Sequence, residues 1–279
     1  MDQLQKALLL KELHARDSTF LMPNAWDAGS ARMLSVFGFP AIATTSAGIA
    51  FSLGLPDYEG AISREAMIER ISQIAAAVDL PVSADLEAGY GAEPDQVEET
   101  IRLAIAAGAV GGNIEDFTGE WSAPLFELDF AVERIRAVRE AAEASAIPFT
   151  LTARTDCYLA GVENPFAVAV ERANRYWEAG ADCLFVPGVS DPDVIAALVK
   201  EIDGPLTVVM GLSGSILSVS QLAALGVRRV TIGGSLARAT YGLIRQAASE
   251  MKELGSFSFA DRQIPDGELC RFFDSFPPI

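Results

Sequence analysis

The feature that most constrains the fold of this chain is a regular alternation of short apolar runs with longer amphipathic segments. Eight runs bounded by Gly, Pro or Asp are candidate strands: FLMP (20–23), AIATTS (41–46), VSADL (82–86), VGGNIED (110–116), FTLTAR (149–154), DCLFVP (182–187), LTVVM (206–210) and RRVTIG (228–233). Segments with helical periodicity lie between them, such as 128–146, where Val132, Ile135 and Val138 recur at three-residue spacing. Apolar strands that alternate with helices indicate a parallel sheet buried on both faces, and eight such units close into a barrel. The sequence therefore predicts an α/β protein with a (β/α)8 TIM-barrel fold.

The length of the chain suits one such barrel. It has 279 residues, of which 50% are hydrophobic, and barrels of about 250 residues commonly form a single domain. No shift in composition marks an internal linker. We therefore expect one domain over 1–279, with an N-terminal lead-in helix and a C-terminal helical tail. The tail carries Phe272, Phe273 and Phe276, which we expect to pack on a neighbouring surface.

Charge and cysteine content restrict the expected partners and compartment. The formal net charge of -17 would repel phosphate backbones and anionic membrane surfaces, so we expect neither nucleic acid nor membrane as a partner. The N-terminal apolar run at 7–10 is too short for a signal peptide or a membrane span. Cys157, Cys183 and Cys270 show no C-x-x-C spacing and form an odd set, which argues against a disulfide framework. A cytoplasmic location is the expectation.

Acidic residues gather at the C-terminal ends of the predicted strands, where barrels of this type build their active sites. The third candidate strand runs into Asp85 and Glu87, the fourth into Glu115, and the loop after the second contains Asp57. Such a set would repel itself unless a cation or protons neutralise it. All-oxygen ligation suits Mg²⁺ or Mn²⁺, and a site with few direct carboxylates plus waters suits Mg²⁺ best. The sequence thus predicts a magnesium site with Asp85, Glu87 and Glu115 as metal residues.

Some of the other polar residues are candidates for a role in the active site, and others are not. Arg154 ends the fifth strand and is predicted to hold the carboxylate of the substrate by a planar two-point contact. Asp116 and Asp156, each taken alone, are more typical of helix caps and turns than of catalysis. No lysine lies at a predicted strand end, which excludes a Schiff-base aldolase and leaves a metal as the electron sink. His14, the only histidine, lies in the lead-in helix and is expected at the surface or an interface.

Six motifs occur in one order across nearly the whole chain: PNAWDAGSARM, TTSAGIAFSLGLPD, SADLEAGYG, NIEDFTG, ARTD and GADCLFVPG. In this combination the sequence resembles the isocitrate lyase / phosphoenolpyruvate mutase superfamily. The resemblance implies a modified barrel that binds Mg²⁺ and a 2-oxo acid or its enolate. It also implies that subunits exchange their eighth helix to form dimers, which pair into homotetramers.

The resemblance assigns roles residue by residue. By motif, Asp85 matches the direct metal ligand, while Asp57, Glu87 and Glu115 match residues that hold metal-bound waters. Arg154 matches the arginine that binds the substrate carboxylate. One further segment matches the part of the superfamily's site that contacts the substrate carboxylate and oxo oxygen: Thr45, Ser46 and Ala47.

The loop after the fourth strand departs from the pattern of this superfamily. Its lyases carry a K-[KR]-C-G-H segment with the catalytic cysteine, and mutase-like members place a lysine and an asparagine there, whereas 117–124 reads FTGEWSAP. This argues against an isocitrate or methylisocitrate lyase and against a standard phosphonopyruvate mutase or hydrolase. Glu120 is the titratable candidate for proton transfer on this stretch, so the predicted catalytic residues are Asp57, Arg154 and Glu120, with a bound water or Tyr58 next. We expect 117–125 to act as a mobile gate.

The predicted function is that of a Mg²⁺-dependent carbon–carbon lyase or decarboxylase acting on a small 2-oxo or 2-hydroxy di- or tricarboxylate through a metal-stabilised enolate. Two alternatives stay open. One is a phosphonopyruvate-type C–P mutase or hydrolase, for which the glycine-rich turns at 211–214 and 233–235 resemble a phosphate cradle. The other is a non-catalytic 2-oxo-acid binder that kept Asp85 and Arg154.

Overall fold

The computed structural model describes residues 1–58, 60–212 and 214–278. Within these ranges, parallel strand segments follow one another in the spatial order β1-β9-β8-β7-β6-β5-β4-β3-β2. They are β1 (Phe20–Leu21), β2 (Asn24–Ala25), β3 (Ile42–Thr44), β4 (Val82–Asp85), β5 (Gly111–Glu115), β6 (Thr150–Arg154), β7 (Cys183–Phe185), β8 (Leu206–Val209) and β9 (Arg229–Thr231). Every apolar run that was predicted to be a strand contributes one, and β2 lies just beyond the first run.

The two shortest strands show how the sheet closes. β1 pairs with β9, with Phe20 opposite Arg229, while β2 pairs with β3, with Asn24 opposite Ala43. Both belong to one stretch, 20–25, which is interrupted before Asn24 by a proline that has no N–H to donate to a sheet. Because this stretch pairs on both sides, the segments act as the eight strands of a closed parallel barrel. The predicted TIM-barrel fold is confirmed.

Helices follow the strands and surround the barrel. They are α1 (Gln3–Ala15), α2 (Ala28–Ser35), α3 (Ser46–Ser52), α4 (Arg64–Ala77), α5 (Pro94–Ala106), α6 (Leu128–Glu143), α7 (Pro165–Glu178), α8 (Pro192–Glu201), α9 (Val219–Ala224), α10 (Ser235–Leu254) and α11 (Asp266–Asp274), with a 3₁₀ turn at Ser258–Arg262. Local capping explains several starts, because Asp2, Asp27 and Asp191 accept backbone N–H groups of α1, α2 and α8. The helix predicted over 128–146 is α6, which ends three residues earlier.

Most of the apolar core lies between the strands and the helices around them. Ile71 of α4, Val97 and Ile101 of α5, Val138 of α6 and Ile195 of α8 have no exposed surface. Full burial of each such side chain stabilises the fold by about 1.5–3 kcal/mol. The inside of the barrel is different, because many of its side chains are small or polar and line an open cavity. Space for a ligand therefore lies inside the barrel rather than outside it.

Helix α1 covers the N-terminal end of the barrel. Leu10 is fully buried there in a cluster with Phe20, and His14 is only 5% exposed, so the expected surface position of His14 is wrong. Nδ1 of His14 lies 2.8 Å from the carbonyl oxygen of Leu10, and Nε2 lies 3.1 Å from Nη1 of Arg229. Because an arginine can only donate, Nε2 must accept and Nδ1 must carry the hydrogen. His14 is thus held as a neutral imidazole.

Helix α10 follows the last strand and stays largely uncovered. Three of its apolar side chains have exposed fractions of 50%, 61% and 76%: Leu243, Ile244 and Leu254. No helix of the described ranges is long and apolar enough to cross a membrane. The exposed face of α10 is therefore apolar surface that the chain itself does not cover.

The tail beyond α10 returns to the barrel. The side chains of Phe272, Phe273 and Phe276 are half-buried. The guanidinium of Arg32 lies over the ring of Phe276, 5.0 Å from its centroid, and donates to the carbonyl oxygen of Pro277 at 2.6 Å. The tail aromatics thus pack on α2 of the same chain, and the unpartnered apolar surface is on α10 instead.

Candidate active site

A cavity of about 610 Å³ opens at the C-terminal ends of the strands and extends into the barrel. Most of the predicted site residues line it: Thr45, Ser46, Ala47, Asp57, Asp85, Glu87, Glu115 and Arg154. Glu120 is not among the lining residues, although Gly119 and Trp121 on either side of it are. The barrel therefore brings together residues that are up to 109 positions apart in the chain, from 45 to 154.

Asp85, the last residue of β4, is held in one orientation by its neighbours. Its Oδ2 accepts the backbone N–H and the hydroxyl of Ser46, each at 2.9 Å, and its Oδ1 accepts Nδ2 of Asn113 at 2.9 Å. Its backbone N–H donates to Oγ1 of Thr44 at 2.8 Å. Ser46 was predicted to contact substrate, but here both of its donors orient Asp85. Asn113 was missed from the sequence, and its position two residues before Glu115 on one strand face was the available signal.

Glu87 lies in a strained turn after β4. Its φ is 50°, in the left-handed region that non-glycine residues seldom adopt, and Tyr90 follows with φ 58°. The backbone carbonyl of Glu87 accepts the N–H of Glu115 at 3.1 Å, and the hydroxyl of Tyr90 donates to Oε1 of Glu87 at 3.1 Å. Gly89 is required because a Cβ there would lie 2.7 Å from Cγ1 of Val97. Tyr90 therefore positions Glu87, a role that its sequence position alone did not indicate.

Arg154 is paired with acids of its own chain. Its Nε and Nη2 donate to the two carboxylate oxygens of Asp156 at 2.6 and 2.8 Å, and its Nη1 lies 2.8 Å from Oε2 of Glu115. Asp156 thus occupies the two-point contact that was predicted for a substrate. These contacts use three of the five N–H groups of the guanidinium. The remaining donors could still reach a ligand, because Arg154 lines the cavity.

Burial and mutual repulsion disturb the ionisation of this cluster. Burial raises the pKa of Glu115 well above its usual value, although Arg154 opposes the shift. Burial likewise raises the pKa of Asp156. Asp57 lies at the exposed mouth of the cavity. Its pKa is also raised, mainly because it is partly shielded from solvent and secondly because of the negative charge of Asp85. Negative charge is therefore in excess here, and a bound cation would relieve it.

Asp116 anchors the loop that carries Asp156. One of its oxygens accepts the backbone N–H of Asp156 at 2.9 Å, and the other accepts the hydroxyl of Tyr176 at 2.7 Å and Nη1 of Arg172 at 3.1 Å. Asp116 is 3% exposed. It thus supports Arg154 through Asp156, and neither acid acts as a helix cap. The partners on α7 lie 56 and 60 residues away, which is why sequence spacing did not show this network.

The predicted gate is an ordered loop over the cavity mouth. Phe117 and Leu125 form an antiparallel bridge, and the hydroxyl of Thr118 donates to the carbonyl oxygen of Ala123 at 2.7 Å. The ring of Phe117 meets that of Trp121 edge to face, with centroids 5.2 Å apart. Trp121 is 72% exposed while lining the cavity, so a ligand could cover it. Motion of this segment stays a prediction.

The glycine-rich turn after β9 already donates its backbone N–H groups to a side chain of the same chain. Oδ1 of Asn24 accepts the backbone N–H groups of Ile232 and Gly233 at 3.0 and 2.9 Å, and Nδ2 of Asn24 donates to the carbonyl oxygen of Thr44 at 2.7 Å. A phosphate cradle would present such N–H groups to the ligand. The turn therefore joins the last strand to the first, which weakens its interpretation as a phosphate site.

The chemistry of the lining residues fits a hard divalent cation. Among the described residues, no three acidic, His or Cys side chains converge closely enough to enclose an ion. Mg²⁺ does not require such a cage, because it keeps several waters and binds through one or two carboxylates. Asp85 offers an oriented carboxylate for direct contact, and Asp57, Glu87 and Glu115 line the same cavity and could bind its waters.

A parallel barrel with acids and an arginine at the C-terminal mouth defines the general class of a TIM-barrel enzyme. The particular family follows from comparison, because the model of the phosphoenolpyruvate phosphomutase family matches residues 10–252. The chain therefore belongs to this family, within the isocitrate lyase / phosphoenolpyruvate mutase superfamily. The resemblance seen in the six motifs is confirmed, and the protein is an enzyme of this lyase and mutase superfamily.

Similar proteins include both assigned and unassigned members. A Burkholderia cenocepacia structure provisionally described as a lyase/mutase has a TM-score of 0.94 and 49% identity, covering 98% of this chain and 97% of that one. An uncharacterized protein of Mycobacterium tuberculosis is 35% identical over 222 residues, 80% of each chain. An oxaloacetate decarboxylase of Pseudomonas entomophila is 32% identical over 246 residues, 84% of this chain and 82% of that one.

Proposed function

We propose that this protein is a Mg²⁺-dependent carbon–carbon lyase or decarboxylase that acts on a small 2-oxo or 2-hydroxy di- or tricarboxylate. The observation that carries the proposal is the oriented carboxylate of Asp85 beside Arg154, in a cavity whose described lining contains no Cys, His or Lys. That lining supports enolate chemistry at a metal and offers no cysteine nucleophile or Schiff-base amine. The oxaloacetate decarboxylase among the relatives supports it as well.

Decarboxylation suits this lining best among the carbon–carbon cleavages. In oxaloacetate, the bond between C3 and C4 breaks, C4 leaves as CO₂, and the electron pair stays as the enolate of pyruvate, which then takes one proton. Cleavage needs no general base, because the departing carboxylate is already ionised. A bound Mg²⁺ would supply positive charge beside the oxo oxygen, where negative charge develops.

The residues of the chain would bind and shield this substrate. The free donors of Arg154, with Thr45 and Ala47, would hold the carboxylate next to the oxo group, while Ser46 orients Asp85, which would hold the metal. Phe117 and Trp121 would cover the mouth and exclude water from the enolate. The proton for C3 would come from Glu120, or from Tyr58 or a bound water.

A C–P mutase or hydrolase is the second candidate, and the description of the matching family model favours it. Two features weigh against it: the loop at 117–124 lacks the lysine and asparagine of mutase-like members, and Asn24 occupies two N–H groups of the glycine-rich turn. A non-catalytic 2-oxo-acid binder would keep Asp85 and Arg154 but turn nothing over.

One panel of assays separates the three functions. The purified protein with Mg²⁺ is incubated with oxaloacetate, 2-methylisocitrate and phosphonopyruvate, while pyruvate, succinate, phosphoenolpyruvate and phosphate are followed. We expect EDTA-sensitive pyruvate release from oxaloacetate above the metal-catalysed background. Formation of phosphate or phosphoenolpyruvate from phosphonopyruvate alone would establish C–P chemistry, and oxalate binding without any turnover would establish a binder.

We further propose a homotetramer built from dimers that exchange α10, with residues 1–279 as one domain. The exposed apolar face of α10 at Leu243, Ile244 and Leu254 supports the exchange, because a second copy would bury it. Light scattering that gave a monomer near 29.7 kDa at micromolar concentration would reject it.

The proposed location is the cytoplasm, where cysteines stay reduced. Cys157, Cys183 and Cys270 are free thiols, and the first two are buried. Burial raises the pKa of Cys157 to about 12, which makes it a packing residue and not a nucleophile.

A further inference from the structure

The floor of the cavity carries a buried cation that is not paired with any acid of the described residues. Arg229, the first residue of β9, is 3% exposed and lines the cavity. Its Nη1 donates to Oγ1 of Thr152 at 3.0 Å and faces Nε2 of neutral His14 at 3.1 Å. Its Nε finds no acceptor among the described residues, and no carboxylate of the described chain forms an ion pair with it.

The charge of this guanidinium is therefore uncompensated at close range. Burial lowers the pKa of Arg229, and the opposing influence comes only from the thiol of Cys183, which burial itself keeps protonated. A guanidinium nevertheless stays charged in proteins. Burying an unpaired charge is strongly unfavourable, so native structures pair buried cations with anions.

The position of Arg229 leaves both access and room for an anion. Its partner Thr152 lies opposite Asn113 in the sheet register, and Asn113 donates to Asp85, so the guanidinium lies on the inner side of the proposed metal site. The lining also includes Ala43 and Ser83, whose small side chains leave space in the barrel. The cavity thus continues past the acids at its mouth to a cation at its closed end.

We propose that the cavity floor is an anion subsite in which Arg229 holds one small monoanion, either a free halide or the second carboxylate of a substrate. Neutral His14, on the helix that covers the N-terminal end of the barrel, and Thr152 hold the guanidinium in place. The subsite is separate from the carboxylate contact at Arg154, whose guanidinium is already paired with Asp156 and Glu115.

The test measures the ion itself and not turnover, so it does not depend on the proposed function, although assignment of the subsite to a substrate carboxylate rests on that function. Crystals of the whole protein grown without chloride are soaked in sodium bromide, and anomalous density is examined. We expect a bromide peak within about 4 Å of Nε of Arg229, the distance limit of an ion pair. Bromide at the protein surface only, or no peak, would overturn the proposal.

Variants show whether Arg229 is the residue that binds the anion. Metal-free wild-type protein should broaden the ³⁵Cl NMR signal relative to buffer. Most of this extra broadening should be lost with Arg229→Gln and should stay unchanged with Arg228→Gln. Arg228 is the matched control, because it is the preceding arginine, lies outside the cavity lining and pairs with Asp17. Equal broadening by wild type and Arg229→Gln would overturn the proposal, and if Arg229→Gln does not fold, the wild-type bromide map decides.

Lactate and malate distinguish the two sources of the anion, since malate differs by a second carboxylate. Displacement of chloride by malate but not by lactate assigns the subsite to the second carboxylate of a substrate. Retention of chloride with both assigns it to a free halide. Displacement by both would place the ion at the carboxylate contact of Arg154 and overturn a separate floor subsite.

Discussion

Burial of His14 should lower the stability of the folded state when the pH is lowered from 7.5 to 5. The folded protein holds His14 neutral, because burial above all, and then the charge of Arg229, lower its pKa from 6.5 to about 3. A proton on Nε2 would place two N–H donors against each other, since Nη1 of Arg229 donates to that nitrogen. The unfolded chain has no such conflict and takes up the proton near pH 6.5.

The sign and size of the effect follow from these two pKa values. Between pH 6.5 and 3 the unfolded state binds more protons than the folded state, so the free energy of unfolding falls as the pH falls. Above pH 6.5 His14 is neutral in both states and does not change the free energy of unfolding. Below pH 6.5 the free energy of unfolding falls progressively until the pH reaches the folded pKa of His14. At pH 5 the unfolded pKa lies about 1.5 units above the pH, and at about 1.4 kcal/mol per unit the loss is about 2 kcal/mol.

Urea unfolding followed by tryptophan fluorescence, at one protein concentration, measures this loss. Carboxylates with raised pKa values also respond to pH, so the test compares wild type with His14→Gln at both pH values. The glutamine side chain can accept from Arg229 and donate to Leu10 but does not titrate. We expect the difference in unfolding free energy between the two proteins to shrink by about 2 kcal/mol from pH 7.5 to pH 5. Parallel stability profiles would show that the neutral tautomer argument is incorrect.

Four further predictions concern the site. Asp85→Asn should lower kcat/KM with Mg²⁺ by on the order of 100-fold or more, whereas Asp129→Asn, at an exposed acid on α6, should leave it unchanged; chelator-resistant activity in wild type would contradict this. Arg154→Lys should weaken binding of 2-oxo acids about tenfold, because one charge-assisted hydrogen bond is lost, and titration calorimetry checks it. Tyr176→Phe should destabilise the fold by about 1–3 kcal/mol, since buried Asp116 loses a donor; an unchanged urea midpoint would exclude that role. If Glu120 carries the proton, Glu120→Gln should lower kcat by about 100-fold or more without changing ligand affinity, and near-wild-type turnover would remove it from the mechanism.

The barrel and the position of its site could be predicted because they depend on local patterns. A buried parallel strand requires a short apolar run between turn residues, so each strand could be recognised alone. Barrel topology then places the end of every strand at one mouth, which is why Asp85, Glu115 and Arg154 were expected together. β2 was missed, because Asn24 is polar and follows a proline, and neither feature is typical of a central strand.

Contacts between distant side chains could not be predicted in the same way. Arg154 was expected to face a substrate, but its orientation depends on Asp156, which depends in turn on Asp116 and on partners in α7. His14 was expected at the surface, and its burial depends on a contact with Arg229, 215 residues away. Such pairs leave no periodic signal, since each member is one polar residue in an otherwise ordinary segment.

The loop at 117–124 and the lining of the cavity both support decarboxylation as the proposed reaction. Cleavage of a 2-hydroxy acid requires a base to remove the hydroxyl proton and an acid to protonate the leaving carbon, and the lyases of this superfamily carry a cysteine on this loop. Loss of a carboxylate that lies β to the oxo group, as in oxaloacetate, requires only that charge be stabilised and that one proton arrive later, which a water molecule can deliver. The described lining here has oriented acids for a metal, cations at Arg154 and Arg229, and no cysteine, histidine or lysine. Because the chain keeps the charge-stabilising residues while its loop lacks the usual proton carrier, we propose decarboxylation and not aldol-type cleavage.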